Sequence, residues 1–557
     1  MEDLHHLHNN SSPLLPVSFL ERAALVYGDK VSIIYGTVSF TWRETHQRCL
    51  RLASGLTQLG ISPGDTVAAM APNIPALYDL HFAVPMAGAV LSALNTKLDA
   101  ASLVVILEKL EAKFMFIDYE YVDVIVKALE IMSQTMTKHP FFVLIQEHEQ
   151  GPDLVSVGGN KIKYDDLIAM GESDFEIVKP KDEGDPISVN FTSGSTGEPK
   201  GVLYSHKAAY LKSLASVRLY DMGVAPVFLW TVDMFRCNGW CCTWTMAAVG
   251  GTNICLRNVS AKVIFDSIVL HNVTHLCGGP AILNLIADAS LTVPFKVRLI
   301  VAGVLPMSRV MKVEGLGYTV SHAYGMTEVL GPAIVKPWRS TNEHKKDNIV
   351  VENVDVKEPE TMASVRHDGK TIGEVMFKGN TLMLGYLKDP KATQEAFKDG
   401  WYRTKDLGVI HPNGVIQLKD RAKDIIFTGG EIISTLEVEA VLLSHPKVLE
   451  AAVVGKRDDY SKEIPCAFVK LKEEYYYGAM SCQEIVEFCE ERLPDFMVPR
   501  TVVFGELPVN STGKVQKFTL RLSMRKESSY QNLSHSQSDY ARSTYSHALS
   551  EPILHCN

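Results

Sequence analysis

The 557-residue chain lacks the features of a membrane protein and of a nucleic-acid-binding protein. It has no uninterrupted apolar run of membrane length, because its most apolar long stretch, residues 67–93, is broken by prolines, Asn73, Asp79 and His81. It also lacks a surplus of positive charge, since 55 Lys and Arg stand against 64 Asp and Glu for a net charge of −9. We therefore expect no membrane span, and no nucleic acid or acidic membrane as a partner.

The sequence also lacks paired-cysteine motifs and recognisable targeting signals. The ten cysteines include no C-x-x-C pair, which disfavours a disulfide framework or a zinc site and favours a reducing compartment. The first residues, Met1-Glu-Asp-Leu-His-His6, lack the basic start and apolar core of a signal peptide. The last three, His555-Cys-Asn557, are not a Ser-Lys-Leu peroxisomal signal. We expect a cytoplasmic protein, with a peroxisomal location as the alternative.

The sequence is rich in short, continuous apolar runs that alternate with helical patterns. Apolar spacing predicts helices at 17–26 and 41–59. A continuous apolar run is typical of a strand buried on both faces of a parallel sheet. Such a run occurs at 66–70, and further predominantly apolar strands are predicted at 114–117, 141–144, 187–191, 252–256, 299–301 and 319–323. The pattern predicts an α/β fold whose parallel sheets are covered by helices.

The character of the chain changes after residue 386. Residues 400–406 and 411–417 indicate a hairpin-rich β region, and Lys419–Asp424, with five charges in six residues, indicates an exposed joint between domains. Residues 424–523 predict a compact α+β unit. Beyond Arg525 the chain is rich in Ser, Tyr and His without apolar periodicity, which predicts a disordered tail at 526–557.

The stretch Phe191-Thr-Ser-Gly-Ser-Thr-Gly-Glu-Pro-Lys-Gly201 is the strongest single functional signal. It follows a predicted strand and combines hydroxyls, glycines and one lysine. Such a loop can direct N–H and hydroxyl groups at a phosphate. The spacing from Gly194 to Lys200 does not fit a Walker A loop. A solvated Gly/Ser linker is the alternative interpretation, and the lysine and the paired hydroxyls disfavour it.

Five further stretches follow in order. They are Asp233–Trp240 (DMFRCNGW), Ser321–Gly331 (SHAYGMTEVLG), Thr404–Asp406 (TKD), Gly429–Glu431 (GGE) after Lys423, and Pro508–Lys514 (PVNSTGK). Together the six stretches resemble the motifs of the adenylate-forming superfamily, and most of all the plant-type acyl-activating enzymes that ligate short-chain or aromatic acids to coenzyme A. The resemblance covers almost everything from Val17 to Arg525.

The resemblance implies a fold and a reaction. It implies a large N-terminal AMP-binding domain, 1–421, with mostly parallel sheets and a β-barrel-like region, and a small mobile α+β domain, 422–525. Its substrates would be a small carboxylic acid, ATP with Mg²⁺, and coenzyme A. The acid would first form an acyl-adenylate, and the coenzyme A thiol would then displace AMP.

The resemblance also implies roles for individual residues. Glu328 would hold Mg²⁺, Tyr324 would stack on adenine, Asp406 would accept from the ribose hydroxyls, and Lys423 would be the hinge of the small domain. The catalytic residues would be Lys514, Lys200, Thr327 and Arg236. The nucleotide and coenzyme A contacts would be Thr192, Ser193, Gly194, Ser195, Thr196, Gly197, Lys200, Gly303, Val304, Tyr324, Gly325, Met326, Thr327, Asp406, Arg421, Lys423, Gly429, Gly430 and Lys514.

Several positions depart from the family pattern. Arg236 replaces a usual histidine, Lys405 a usual glycine and Ile432 a usual asparagine, and the segment 338–355 is short. Gly325 stands where acetate-specific relatives carry a tryptophan pocket floor, so we expect acids longer than acetate. Two alternatives remain open. The chain could pass the acyl group to another acceptor such as a carrier protein, or it could be a non-catalytic paralogue that binds acyl or nucleotide ligands.

Overall fold

A computed structural model describes most of the chain. The described residues are 12–132, 139–147, 160–192, 198–303, 305–337, 349–350, 352–428, 431–458, 462–473, 475, 481–510 and 514–524. The tail predicted at 526–557 and most of the short segment 338–355 lie outside them. In the part of the chain described, no helix combines the length and the apolarity needed to cross a membrane.

The α-helices have a common role as covers for the sheets. In chain order they are Val17–Val26, Trp42–Gln58, Pro75–Met86, Ala100–Leu110, Val122–Met132, Tyr164–Met170, His206–Leu219, Cys242–Val249, Ala261–His271, Pro280–Ala289, Met307–Gly315, Pro390–Ala396, Thr435–Ser444 and Cys482–Glu490. The second begins with a capping box, in which the Thr41 hydroxyl accepts from the Glu44 N–H and the Glu44 carboxylate accepts from the Thr41 N–H. This cap explains why the helix begins at Trp42, one residue after the predicted start.

The strands are numbered in chain order. They are β1 (Val31–Tyr35), β2 (Val38–Thr41), β3 (Thr66–Met70), β4 (Val90–Ala93), β5 (Phe114–Asp118), β6 (Phe141–Ile145), β7 (Lys161–Lys163), β8 (Pro186–Phe191), β9 (Gly201–Ser205), β10 (Val227–Leu229), β11 (Thr252–Ile254), β12 (His275–Gly278), β13 (Val297–Ala302), β14 (Tyr318–Met326), β15 (Gly331–Pro337), β16 (Ile349–Val350), β17 (Asn353–Lys357), β18 (Gly373–Lys378), β19 (Gly385–Tyr386), β20 (Phe397–Lys398), β21 (Trp401–Ile410), β22 (Ile416–Arg421), β23 (Ile426–Thr428), β24 (Glu431–Ile433), β25 (Val448–Asp458), β26 (Lys462–Leu471) and β27 (Thr501–Phe504).

Two large sheets form the body of the molecule. One has the order β16-β15-β14-β13-β12-β10-β11-β1-β2 and the other β19-β9-β8-β4-β3-β5-β6-β7. Their central strands run parallel, and antiparallel pairs occur towards the ends, as for β14 with β15 and β8 with β9. The parallel, helix-covered architecture predicted from the apolar runs is confirmed.

Two smaller sheets complete the fold. The hairpin-rich region forms an antiparallel sheet, β17-β18-β21-β20, in which β22 also pairs with β21. Beyond it, β24-β23-β26-β25 with β27 packs against the helices Thr435–Ser444 and Cys482–Glu490 around a separate apolar core. This last unit confirms the predicted α+β region. The chain passes from one sheet to the other between Arg421 and Ile426, close to the predicted boundary at 421.

The charged segment Lys419–Asp424, predicted as an exposed joint, is exposed at Ala422 and Lys423 but buried at its two aspartates. Asp420 accepts from the N–H and the hydroxyl of Thr435, both at 2.6 Å, and Asp424 pairs with Arg521. Both aspartates are buried. Their partners lie far along the chain, so composition alone could not indicate that these charges are paired inside the protein.

Candidate active site

The predicted phosphate loop is the connection of a β-hairpin. β8 and β9 pair antiparallel, and the pairing continues one step into the loop. The Thr192 N–H donates to the Lys200 carbonyl at 2.9 Å, and the Lys200 N–H donates to the Thr192 hydroxyl at 3.1 Å. Residues 193–197 lie outside the described part, so the phosphate contacts predicted for Ser193, Gly194, Ser195, Thr196 and Gly197 stay predictions. The hairpin fixes both ends of the loop that carries them.

Lys200 and Glu328 both contact the same tyrosine. Its ammonium nitrogen lies 4.7 Å from the centroid of the Tyr386 ring, a cation–π distance. The Tyr386 hydroxyl in turn donates to a Glu328 carboxylate oxygen at 2.9 Å. Burial, together with the Glu328 charge, raises the pKa of Tyr386. Tyr386 is a site residue that the sequence did not predict, because an isolated tyrosine after a glycine carries no recognisable signal.

Glu328 has the donor chemistry that Mg²⁺ requires. Only one of its carboxylate oxygens accepts from Tyr386, so the other is available to a cation. Magnesium prefers oxygen ligands and often takes only one or two carboxylates together with substrate phosphates. Among the described residues there is no cluster of three or more His, Cys, Asp or Glu that could hold a metal by itself. The donor set therefore fits a metal that arrives with a polyphosphate.

Thr327 lies at the end of β14, where the strand turns into a short 3₁₀ helix, Thr327–Val329. Its carbonyl accepts from the Tyr204 hydroxyl at 2.7 Å. The side chains of Thr327 and Tyr204 also form hydrogen bonds with the Cys237 thiol, whose pKa is raised by burial. These contacts join the second predicted nucleotide stretch to the segment that begins after Arg236.

The predicted adenine and ribose residues contact each other directly. The Tyr324 hydroxyl donates to Asp406 at 2.8 Å, and Arg421 Nε lies 3.6 Å from the other carboxylate oxygen. The Tyr324 ring stacks on Phe377, with centroids 6.1 Å apart. Burial raises the pKa of Asp406, while Arg421, Tyr324 and Lys514 act against this rise. Asp406 is therefore held as an acceptor at the junction of two sheets.

Lys514 reaches this site from the small C-terminal unit. Its N–H donates to the Asn510 side chain at 3.0 Å, and the Asn510 N–H donates to the Lys514 carbonyl at 2.9 Å, which closes a tight loop. The residue is open to solvent, yet the surrounding protein and the nearby Arg421 and Arg236 lower its pKa, while Asp406 acts in the opposite direction. Lys514 therefore lies in a cleft that both units line.

Arg236 faces the same cleft. Its Nε donates to the Asp233 carboxylate at 2.8 Å, and its charge acts on Lys514. The three cations Arg236, Arg421 and Lys514 thus lie near one another, with Asp233 and Asp406 as the neighbouring carboxylates. A cleft with this balance suits a ligand that carries several negative charges.

The residues after Arg236 form a strained left-handed turn. Cys237, Asn238, Gly239, Trp240 and Cys241 all have φ between 46° and 61°. Left-handed backbone costs roughly 1–2 kcal/mol for each residue other than glycine. Such strain persists only where surrounding contacts enforce it, and it concentrates at functional sites.

Buried polar contacts hold the left-handed turn on β8. The Asn238 side-chain oxygen accepts from Ser188 at 2.8 Å and from the Asn190 side chain at 2.6 Å, and the Asn238 N–H donates to Asn190 at 3.0 Å. At Gly239 an added Cβ would lie 2.5 Å from the Trp230 ring. The turn is therefore fixed to the strand that leads into the phosphate loop, a coupling that no sequence signal indicated.

Gly325 does not lie at an open pocket floor, the position that was predicted for it. A Cβ there would lie 1.9 Å from the Gly331 carbonyl oxygen and 2.8 Å from the Pro332 Cα. The volume of a side chain is thus occupied by the backbone of β15, and Gly325 cannot be an open pocket floor that a tryptophan would fill. Its glycine allows β14 and β15 to approach closely.

The remaining predicted residues have mixed outcomes. Gly303 has φ +121° and its carbonyl is 2.8 Å from His322 Nε2, at the end of β13. Met326 is partly buried and packs on the main apolar core. Lys423 is exposed between β22 and β23, as a hinge residue would be. Val304, Gly429 and Gly430 lie outside the described residues, so their roles stay predictions.

Comparison with known proteins identifies the family. The family model of the AMP-binding enzymes matches residues 20–387, and the model of the AMP-binding enzyme C-terminal domain matches residues 437–514. The chain is 46% identical over 541 residues to 2-methylpropanoate–CoA ligase CCL4 of Humulus lupulus, covering 94% of this chain and 97% of that protein. It is 44% identical over 545 residues to the peroxisomal butyrate–CoA ligase AAE11 of Arabidopsis thaliana, covering 94% and 95%.

The fold is also similar to that of solved CoA ligase structures. The crystal structure of the anthranilate CoA ligase AuaEII in complex with anthranoyl-AMP superposes with a TM-score of 0.82 at 22% identity, covering 93% of this chain and 99% of that chain. The resemblance stated from the six sequence stretches is confirmed, and the chain belongs to the family of AMP-binding enzymes.

Proposed function

We propose that this chain is an AMP-forming carboxylic acid–CoA ligase that acts on a short- or medium-chain or benzoate-like acid. Membership of the AMP-binding enzymes and the two CoA-ligase relatives support this function. The single observation that carries it is the convergence of Lys514, from the small unit, on Asp406 and Arg236 of the large one. A binding module has no need of a lysine brought in from a second unit.

The nucleotide would lie across the ends of β14 and β21. Asp406 is an acceptor with two oxygens, which suits two ribose hydroxyls, and the ring face of Tyr324 away from Phe377 would stack on adenine. Lys200 and the hairpin loop at 193–197 would hold the β- and γ-phosphates. Thr327 would donate to the α-phosphate. Magnesium, when bound at Glu328, would neutralise phosphate charge.

In the first step a carboxylate oxygen of the acid attacks the α-phosphorus, and the bond to the bridging oxygen of pyrophosphate breaks. Negative charge builds on the phosphate oxygens as this happens. Lys514 and Arg236 would stabilise this charge, because fixed cations in a cleft act most strongly where charge develops. The products are acyl-AMP and pyrophosphate.

In the second step the coenzyme A thiolate attacks the acyl carbon, and AMP leaves. We propose that the small domain, 422–525, rotates about Lys423 between the steps and brings the loop at Gly429 and Gly430 to the site in place of Lys514. The two family models lie on either side of this boundary, which supports the domain division 1–421 and 422–525.

The direct experiment is acid-dependent exchange between ATP and labelled pyrophosphate, followed by AMP release with and without coenzyme A. The acids would include 2-methylpropanoate, butyrate and benzoate. Exchange that requires an acid, with AMP release that increases on addition of coenzyme A, supports the ligase. Exchange with no response to coenzyme A would indicate a different acyl acceptor, and no exchange with any acid would indicate a non-catalytic paralogue.

The location within the cell is a separate proposal. We propose the cytoplasm, although the butyrate relative is named peroxisomal. A fluorescent protein fused to the N-terminus and imaged beside a peroxisomal marker distinguishes the two locations.

A further inference from the structure

Lys212 is a buried cation for which the reaction above has no role. It lies on the helix His206–Leu219, and its side chain is 0% exposed. Its ammonium donates to the backbone carbonyl of Pro332. An ammonium has three donors, and among the described residues Lys212 has no other hydrogen-bond acceptor and no ion-paired carboxylate. The carboxylate whose charge acts on it, Glu352, accepts from the Thr381 N–H instead.

A buried ammonium in this state is costly. Removing a cation from water costs several kcal/mol unless hydrogen bonds and an opposite charge compensate, and a single carbonyl supplies neither in full. Burial lowers the pKa of Lys212 to about 8, so the group still carries its charge at neutral pH. Buried donors without partners are rare in folded proteins, and they often mark a functional site.

The left-handed turn contacts both the catalytic cleft, through Thr327, and the strand that carries the Lys212 hydrogen bond, through Gly331. Cys237, at its start, forms a hydrogen bond with Thr327 and acts electrostatically on Lys514, while Cys237 and Cys241 both act on Lys212. Cys237 is therefore close enough to both lysines for its charge state to influence each of them.

The acceptor of the Lys212 hydrogen bond is the chain neighbour of a residue that packs on Trp240. Pro332 follows Gly331, and a Cβ on Gly331 would be 3.3 Å from Trp240, so this part of β15 packs on the turn. The reacting carboxylate of the acid substrate would lie beside Thr327. If its acyl chain runs from there along the turn, the chain would pass Trp240 and end near Pro332 and Lys212.

We propose that Lys212 defines the distal end of the acyl pocket and selects acids whose far end carries an oxygen acceptor, above all a second carboxylate. The inference rests on the proposed ligase function and specifies its substrate class. A second carboxylate would supply the opposite charge and the hydrogen bonds that the buried ammonium lacks. A plain alkyl chain would leave the ammonium uncompensated. In a binding site, leaving a buried polar group unpaired costs more free energy than an ordinary hydrogen bond contributes.

Three acids with five carbons test the proposal: pentanoate, 4-oxopentanoate and glutarate. kcat/KM is measured by acid-dependent pyrophosphate exchange in the wild type, Lys212→Met and Lys212→Gln. We expect the wild type to prefer glutarate or 4-oxopentanoate to pentanoate by roughly 10- to 100-fold, the range for bonds to a charged group. Lys212→Met should abolish this preference by raising activity with pentanoate. Lys212→Gln, which keeps a neutral donor, should retain part of the preference for 4-oxopentanoate and lose that for glutarate.

Each other outcome has a distinct meaning. A wild type that prefers pentanoate, or a preference unchanged in Lys212→Met, overturns the inference and leaves the ligase function intact. An equal loss with all three acids in Lys212→Met shows that Lys212 only holds Pro332 in position, and this also overturns it. If Lys212→Met does not fold, Lys212→Gln decides between the same outcomes. Failure of exchange with every acid, including 2-methylpropanoate and benzoate, is instead a failure of the proposed function.

Discussion

The Tyr324 hydroxyl donates a hydrogen bond of 2.8 Å to the Asp406 carboxylate, and so joins β14 of the nine-stranded sheet to β21 of the antiparallel sheet. Arg421 lies on the other oxygen of the same carboxylate. Asp406 is thus oriented before any nucleotide arrives. An acceptor that is already fixed loses less freedom on binding, which favours affinity.

Removing this hydroxyl tests the orientation of Asp406. Tyr324→Phe keeps the ring but leaves one carboxylate oxygen without its donor, and one hydrogen bond contributes about 0.5–1.5 kcal/mol. We expect KM for ATP to rise roughly 3- to 10-fold in pyrophosphate exchange. Tyr318→Phe, at the other end of the same strand, is the matched control and should leave KM unchanged. An unchanged KM in Tyr324→Phe would show that Asp406 does not need this contact.

Lys405 tests a departure from the family pattern. Its φ is +60°, the left-handed conformation that the usual glycine adopts without strain. Lys405 is exposed, and its N–H donates to Glu374 at 2.8 Å, a bond that any residue can keep. We expect Lys405→Gly to raise the free energy of unfolding by about 1 kcal/mol relative to Lys405→Ala, measured by urea denaturation. Both variants lack the lysine side chain, so equal stabilities would argue against backbone strain.

The sequence was sufficient to predict the elements whose residues are uniformly apolar or whose motif is local. The strand Thr66–Met70 and the helix Val17–Val26 have the predicted bounds, because continuous burial or a regular apolar face is readable within a few residues. Likewise, the predicted loop does follow a strand, and Thr192 and Lys200 pair with each other at its two ends.

Features that depend on distant residues were not predictable. Asp420 and Asp424 can be buried because Thr435 donates a hydrogen bond to the first and Arg521 pairs with the second. From the sequence alone, a run of charges resembles solvated surface. The left-handed turn includes Cys237, Trp240 and Cys241, residue types that rarely adopt positive φ. The turn is held by contacts with distant residues, such as those of Asn238 with β8. Lys212 is buried by packing that no pattern in its helix revealed.

The close approach at Gly325 gives a stability prediction. Gly325→Ala would place a Cβ 1.9 Å from the Gly331 carbonyl, so β14 and β15 must separate. We expect a loss of roughly 1–3 kcal/mol, as for overpacking elsewhere, seen as a lower urea midpoint. Gly223→Ala is the control, since an added Cβ there meets nothing within 4 Å. Equal stability of the two variants would mean that the strands can separate at no cost.

Arg236→His restores the usual family residue and removes a permanent charge. Since Arg236 lowers the pKa of Lys514, its replacement should raise that pKa. In the proposed mechanism Lys514 acts in its protonated form, so we expect adenylation to be lost as pH rises through this pKa, and the loss should move to higher pH in the variant. We also expect the rate at neutral pH to fall about tenfold, on the scale of a lost bond between charged groups.

Asp233→Asn is the control for Arg236, because it keeps the guanidinium and removes only its partner. The pH at which adenylation is lost should then stay within the range of the wild type. A faster rate in Arg236→His would contradict the proposed contact and show that the arginine hinders the acid instead.

Lys514→Ala separates the two half-reactions. The ammonium would bridge the carboxylate and the α-phosphate during adenylation, and removal of one such transition-state donor costs roughly 10²-fold or more. We expect acid-dependent pyrophosphate exchange to fall by that factor. The same variant, given synthetic acyl-AMP, should form the thioester with coenzyme A at close to the wild-type rate, because the proposed rotation of the small domain would by then have moved the lysine away. Lys470→Ala, which removes a lysine paired with Glu506 on the same unit, should affect neither step. Equal damage to both steps in Lys514→Ala would make the lysine structural and exclude a rotation of the small domain between them.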